Sequence, residues 1–184
     1  MKALFFCNSY NVLMASIQIK RKLFKNIRAD ILISDFSNNI EKISNNLEEL
    51  NIFHKVYFCK LKDIYQGGNM VHKIYKTLLL LEDEKNLLER TKLPNLLYDI
   101  FFFNNYDLIS SQIYLNIKKH NPLIRLCRVE EGYSTYTVQN RFVLLQEIMR
   151  VVCALKKIPT LLGATKEIFL YEPDLLMYPN NYNK

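Results

Sequence analysis

The chain is 184 residues long, 49% apolar and 23% charged, with a formal net charge of +7. That is enough length and apolar surface for a single domain with a buried core, and no run approaches the roughly 18 apolar residues of a membrane span. The positive charge lies largely in short clusters such as Lys20-Arg21-Lys22, Lys118-Lys119 and Lys156-Lys157, which read as solvated helix faces and argue against a nucleic-acid partner.

Residues 3–7 read as a buried strand, Asn8-Ser9-Tyr10-Asn11 as a polar loop, and residues 12–24 repeat apolar side chains at helical spacing. A second strand over 30–35 leads to Ser37, a candidate N-cap, and then to a helix over about 40–50. A third strand covers 54–59. Beyond it, Gly67-Gly68 interrupt an amphipathic pattern that resumes over 71–90, which predicts a mobile loop able to fold over a ligand, followed by a helix. An almost unbroken apolar strand over 98–103 ends in Asn104-Asn105-Tyr106 and precedes a helix over 107–119. The fifth strand is 123–129, a helix follows over about 140–157, and a short sixth strand over 167–171 is stopped by Pro173.

Strands that alternate with helices, with no hairpin signal between them, predict an α/β fold. The expectation is a Rossmann-like parallel sheet flanked by helices, spanning residues 1–172. Residues 173–184 are polar and turn-rich, the composition of a linker toward a second domain. The cysteines at 7, 59, 127 and 153 suit small buried thiols, and no CxxC or HxxxH spacing points to a metal. His54, His72 and His120 read as surface or strand-edge residues. The opening residues 1–7 are too short, and too soon followed by Asn8, for a secretory signal, which makes the expected location cytoplasmic.

The fifth strand delivers the most informative turn, Glu130-Glu131-Gly132-Tyr133-Ser134-Thr135-Tyr136. In open α/β sheets ligands bind beyond the carboxyl ends of the strands, and two adjacent carboxylates there suit general-base chemistry. Gly132 permits a sharp turn and a close backbone approach, while Ser134 and Tyr136 supply hydroxyls that could orient the carboxylates or a polyol. Asn8, Ser9, Asn104 and Asn105 end two other strands and offer amide and hydroxyl groups for hydrogen bonds to a polyhydroxylated ligand. A bland reading competes with this one: asparagines in turns often bond their own backbone, and paired acids are often solvated. No glycine-rich phosphate loop follows the first strand.

The segments MKALFFCNSYNVLMASIQIK, ADILISDFS, IFFFNNYDLISSQI, VEEGYSTYT and KEIFLYEPDLL together resemble the N-terminal half of bacterial sialyltransferase-like enzymes, those of glycosyltransferase family 52 and the capsular polysialyltransferases. The resemblance covers nearly the whole chain, and its specific element is the acidic-acidic-glycine motif. It implies the N-terminal half of a GT-B architecture, with Glu131 as catalytic base and Glu130 as its neighbour. Family members commonly carry aspartate at the base position, so Glu131 extends the carboxylate by one methylene. The family's His-Pro motif, which holds the nucleotide, does not occur in these residues.

What the resemblance implies is transfer of a sugar, sialic acid from its CMP-activated form, to a glycan hydroxyl in bacterial capsule or lipooligosaccharide synthesis. No cofactor is implied, and the nucleotide-sugar donor belongs mainly to the second domain. The 184 residues alone are not expected to turn the donor over. The implied partner is a glycan acceptor; separately, the positive charge suits docking on anionic lipid at the inner face of the cell membrane, and a second copy of the chain is a further candidate partner. Two other readings stay open: a non-catalytic accessory module of polysaccharide synthesis, and an unrelated α/β ligand-binding domain.

Overall fold

A strand that is apolar on both faces can be buried only if helices cover both sides of its sheet. Strands β1 (Lys2–Cys7) and β4 (Ile100–Phe103) impose that condition, because Ala3 to Cys7 and all of Ile100 to Phe103 are at most 1% exposed. The computed structural model describes residues 1–62, 84–130, 150–151, 154 and 159–170. Between β1 and β4 run α1 (Tyr10–Lys22), β2 (Arg28–Ser34), α2 (Ile40–Glu49), β3 (Lys55–Cys59) and α3 (Glu84–Thr91). After β4 come α4 (Leu108–His120), β5 (Arg125–Val129), a short α5 (Leu161–Ala164) and β6 (Glu167–Phe169).

All pairings are parallel, and the six strands lie in the order β3-β2-β1-β4-β5-β6. The Rossmann-like α/β arrangement expected from the sequence is therefore present. One face packs Phe5, Ile31, Phe102 and Val129 against Val12, Leu13 and Ile19 of α1 and Leu47 of α2. The other packs Phe6, Leu32, Phe101, Phe103 and Leu126 against Leu87 of α3, Ile113 and Tyr114 of α4 and Leu161 of α5. Phenylalanines form the centre of the first face. Phe5 and Phe102 stack with centroids 4.0 Å apart, and Phe24 meets Phe102 edge-on at 5.1 Å, geometries that add to simple area burial.

The amino edge of the sheet holds a buried carboxylate. Asp30 is 1% exposed and accepts from Lys2 Nζ at 2.9 Å, His54 Nδ1 at 3.1 Å and the Tyr98 hydroxyl at 3.0 Å. A buried carboxylate is tolerable when its oxygens are satisfied in this way, and here the bonds tie β1, β2 and the entries to β3 and β4 together. Burial, and then the negative charge of Asp30, push the Tyr98 hydroxyl well above the usual range.

Several expectations change in detail. Ser37 does not cap α2: Asn39 occupies the cap position in the left-handed region at φ 60°, with no side-chain cap bond, and the Ser37 hydroxyl donates to the Asn8 carbonyl at 3.1 Å instead. Only the last part of the helix expected over 71–90 lies among the described residues, as α3, while Gly67-Gly68 lie outside them. Most of the helix over 140–157, His72, Cys153 and the whole 173–184 segment also lie outside. Helix α5 had no counterpart in the sequence reading, because four residues are too few for a periodic pattern; Thr160 Oγ1 caps it by accepting from Gly163 N at 3.0 Å.

Cys7, Cys59 and Cys127 are free and buried. Burial pushes the Cys7 and Cys127 thiols from an ordinary 9.0 up to about 12. An unfolded chain would lose these protons near pH 9 while the folded chain keeps them until about pH 12, so the folded state binds more protons in that window. Stability should be unaffected by these thiols below pH 9 and fall as pH rises above it. Urea unfolding followed from neutral to alkaline pH checks this: Cys7→Ala should make the alkaline decline shallower, and an unchanged slope would contradict it.

Candidate functional site at the carboxyl edge of the sheet

The chain leaves β1 toward β2 and β3 on one side, and leaves β4 toward β5 and β6 on the other. At such a reversal the crossover helices diverge to opposite faces, opening a crevice beyond the carboxyl ends of the two central strands. Asn8 and Asn104 are the residues that immediately follow those ends. Their side chains meet, with Asn104 Nδ2 donating to Asn8 Oδ1 at 2.6 Å across the reversal. Two of the polar residues singled out from sequence, 96 positions apart, are thus brought into direct contact.

Ser9 serves as N-cap of α1, in extended backbone with φ −145° and ψ 162°, and its Oγ accepts from Val12 N at 3.4 Å. This is the ordinary role of serine at a helix start, and it leaves the O–H as a donor. Asn105 is half-buried in the turn after β4. Glu130 follows β5 directly, is 7% exposed, and its backbone N donates to the Phe169 carbonyl at 3.0 Å. A buried carboxylate therefore stands one strand away from the asparagine pair. Glu131, Gly132, Ser134 and Tyr136 lie outside the described residues.

Hydrogen bonds between neighbouring loops hold this edge in place. Ser37 and Asn8 are joined as described above, and the Tyr10 hydroxyl donates to the Asn38 carbonyl at 2.6 Å. Asp35 Oδ1 accepts from both Leu61 N at 2.7 Å and Lys62 N at 2.9 Å, fastening the exit of β2 to that of β3. On the other side Asp107 caps α4, its Oδ1 accepting from Ser110 N at 2.7 Å. A site built this way is arranged before a ligand arrives.

Two groups here went unnoticed in the sequence. Arg128, in register with Phe103, donates from Nε to the Asn104 carbonyl at 3.0 Å and lies with its guanidinium 4.8 Å from the centre of the Tyr106 ring. An arginine flanked by Cys127 and Val129 within a strand was the available signal, masked by the louder acidic pair two residues later. Ser110, in the first turn of α4, is the second. Among the described residues, Asn104 Oδ1 and Ser110 Oγ are the buried side-chain atoms with no hydrogen-bond partner, the first directly after β4 and the second in the first turn of α4. Leaving a buried polar atom unpaired costs about 1–3 kcal/mol, which makes these two atoms candidates for ligand contact.

The chemistry on offer is three amides, the Ser9 and Ser110 hydroxyls, a buried carboxylate and one guanidinium. Amides and hydroxyls both donate and accept, which matches the hydroxyls of a sugar. The loop after β1 reads Cys7-Asn8-Ser9-Tyr10, without the glycines that let a backbone close around a pyrophosphate. Among the described residues no group of three metal-binding side chains occurs, and no helix is long and apolar enough to cross a membrane. No protein-family model and no curated protein matches the chain.

Asn8→Ala should cost about 1–3 kcal/mol, because it leaves the buried Asn104 Nδ2 without its acceptor. Ser110→Ala removes a hydroxyl with no partner among the described residues and should be neutral, or stabilising by up to about 1 kcal/mol. Urea unfolding of the two variants checks the contrast. Equal losses would contradict it.

Proposed function

We propose that this domain holds the glycan acceptor of a sialyltransferase-like glycosyltransferase acting in bacterial surface polysaccharide synthesis. The observation that carries the reading is the Asn8–Asn104 pair at the strand reversal, with buried Glu130 one strand away and no phosphate loop. The resemblance of the 130–136 turn to the acidic-acidic-glycine motif supplies the reaction.

In that reaction an acceptor hydroxyl attacks the anomeric carbon of a CMP-activated sugar. Glu131 takes the hydroxyl proton as the new C–O bond forms, and the bond from the anomeric carbon to the phosphate oxygen breaks, releasing CMP with the electron pair. Glu130 positions the acceptor beside the base. Asn8, Asn104, Asn105 and Ser9 bond its other hydroxyls, and Tyr136 offers a ring for stacking. The nucleotide is held mainly by a second domain, so the work of these residues is orientation and proton removal. The setting is the cytoplasm.

Saturation-transfer NMR of the 184-residue chain with lactose, a sialylated oligosaccharide and CMP-sialic acid tests the reading. A glycan should bind in the millimolar range, weakened by Asn104→Leu. In an actively transferring protein that contains this domain, Glu131→Gln should lower kcat by roughly 100-fold or more with little change in acceptor KM. Absence of glycan binding, or an unchanged rate for Glu131→Gln, would overturn it.

A further inference from the structure

In an all-parallel sheet every connection enters its strand at the same edge, so the residues before β1, β2, β3, β4 and β5 share one end of the molecule, opposite the crevice. Four of these entries carry a protruding leucine. Leu23 ends α1 and is 63% exposed, Leu50 ends α2 and is 62% exposed, and Leu97 and Leu123 precede β4 and β5 at 58% and 91%. Nothing in a cap or turn position calls for a leucine, and each side chain meets water. The Leu97 and Leu123 loops are joined to each other, since Asn121 Nδ2 donates to the Tyr98 carbonyl at 3.0 Å.

Around the leucines the helix ends place cations. Arg21 and Lys22 close α1, Lys119 closes α4, and Lys25, Lys92 and Lys166 lie in the entry loops, all exposed. Two carboxylates of this edge are already paired with cations: Asp30 with Lys2, and Glu167 with Arg125. Glu48 and Glu49, at the end of α2, offset part of the remaining charge, which stays positive.

We propose that this amino edge docks on an anionic phospholipid bilayer, the cations contacting headgroup phosphates while Leu23, Leu50, Leu97 and Leu123 enter the interfacial layer. Charge alone would suit any polyanion, and the leucines decide between partners. Nucleic-acid backbones reward cations and stacking rings and give protruding leucines nothing to bury in, whereas the boundary between headgroups and acyl chains takes both groups at once. A protein partner fits less well, because interface cores are depleted in lysine. Docking in this way would point the carboxyl-edge crevice away from the bilayer surface, toward solvent. The inference rests on topology and exposure and stands whether or not the glycan reading does.

Co-sedimentation of the chain with vesicles tests it. The protein should bind vesicles of mixed phosphatidylglycerol and phosphatidylcholine, not pure phosphatidylcholine, and binding should weaken as salt is raised. Lys22→Gln and Lys119→Gln should each lower the partition about fivefold. Replacing the four leucines together by serine should lower it by roughly tenfold or more, with urea unfolding confirming that the fold is kept. No binding to the mixed vesicles, equal binding to pure phosphatidylcholine, or full binding by the serine variant would overturn the proposal. So would preferential capture by a short DNA duplex at the same salt.

Discussion

Burial of β1 and β4 on both faces is the constraint from which the rest follows. Two adjacent strands with no polar face require helices above and below. The chain meets that need by sending α1 and α2 to one side and α3 and α4 to the other. Because successive strands then spread outward in opposite directions, the reversal falls between β1 and β4, and a crevice opens where both end. The location of the candidate site is thus a consequence of packing, fixed before any question of what it binds.

The same topology divides the molecule into two chemically different ends. At the carboxyl ends, short polar loops are stitched together and surround an amide pair with a half-buried arginine and a buried carboxylate nearby. At the amino ends, a paired buried aspartate locks the strand entries while leucines and cations project outward. Satisfied groups anchor the fold, while the buried atoms without a partner among the described residues, Asn104 Oδ1 and Ser110 Oγ, lie after β4 and in the first turn of α4.

Much of this was legible in the residues. The strands and helices flanking them announced themselves by runs and helical spacing, and the end-of-strand asparagines by being polar where an apolar run stops. Contacts between distant segments were not legible: nothing in the sequence pairs Asn8 with Asn104, since strand order decides it. Ser37 was misassigned because serine before a helix resembles a cap, while its hydroxyl is drawn instead to the Asn8 carbonyl of the neighbouring loop. Arg128 was missed because the two arginines of β5, three residues apart, follow no strand period, and its meaning comes from the Tyr106 ring and Asn104 carbonyl beside it. The motif at 130–136 is read from sequence alone, with only Glu130 placed in the described fold.

The central claim is that the strand reversal is a glycan-binding crevice organised by the asparagine pair. The most direct test is the side-chain amide NMR spectrum of Asn8 and Asn104 during titration with a sialylated oligosaccharide. Both amide signals should shift progressively, together with the Ser110 and Asn105 backbone signals, as the ligand's hydroxyls take up the unpaired acceptor. Saturable binding that leaves these signals in place and moves those of another surface would contradict the account.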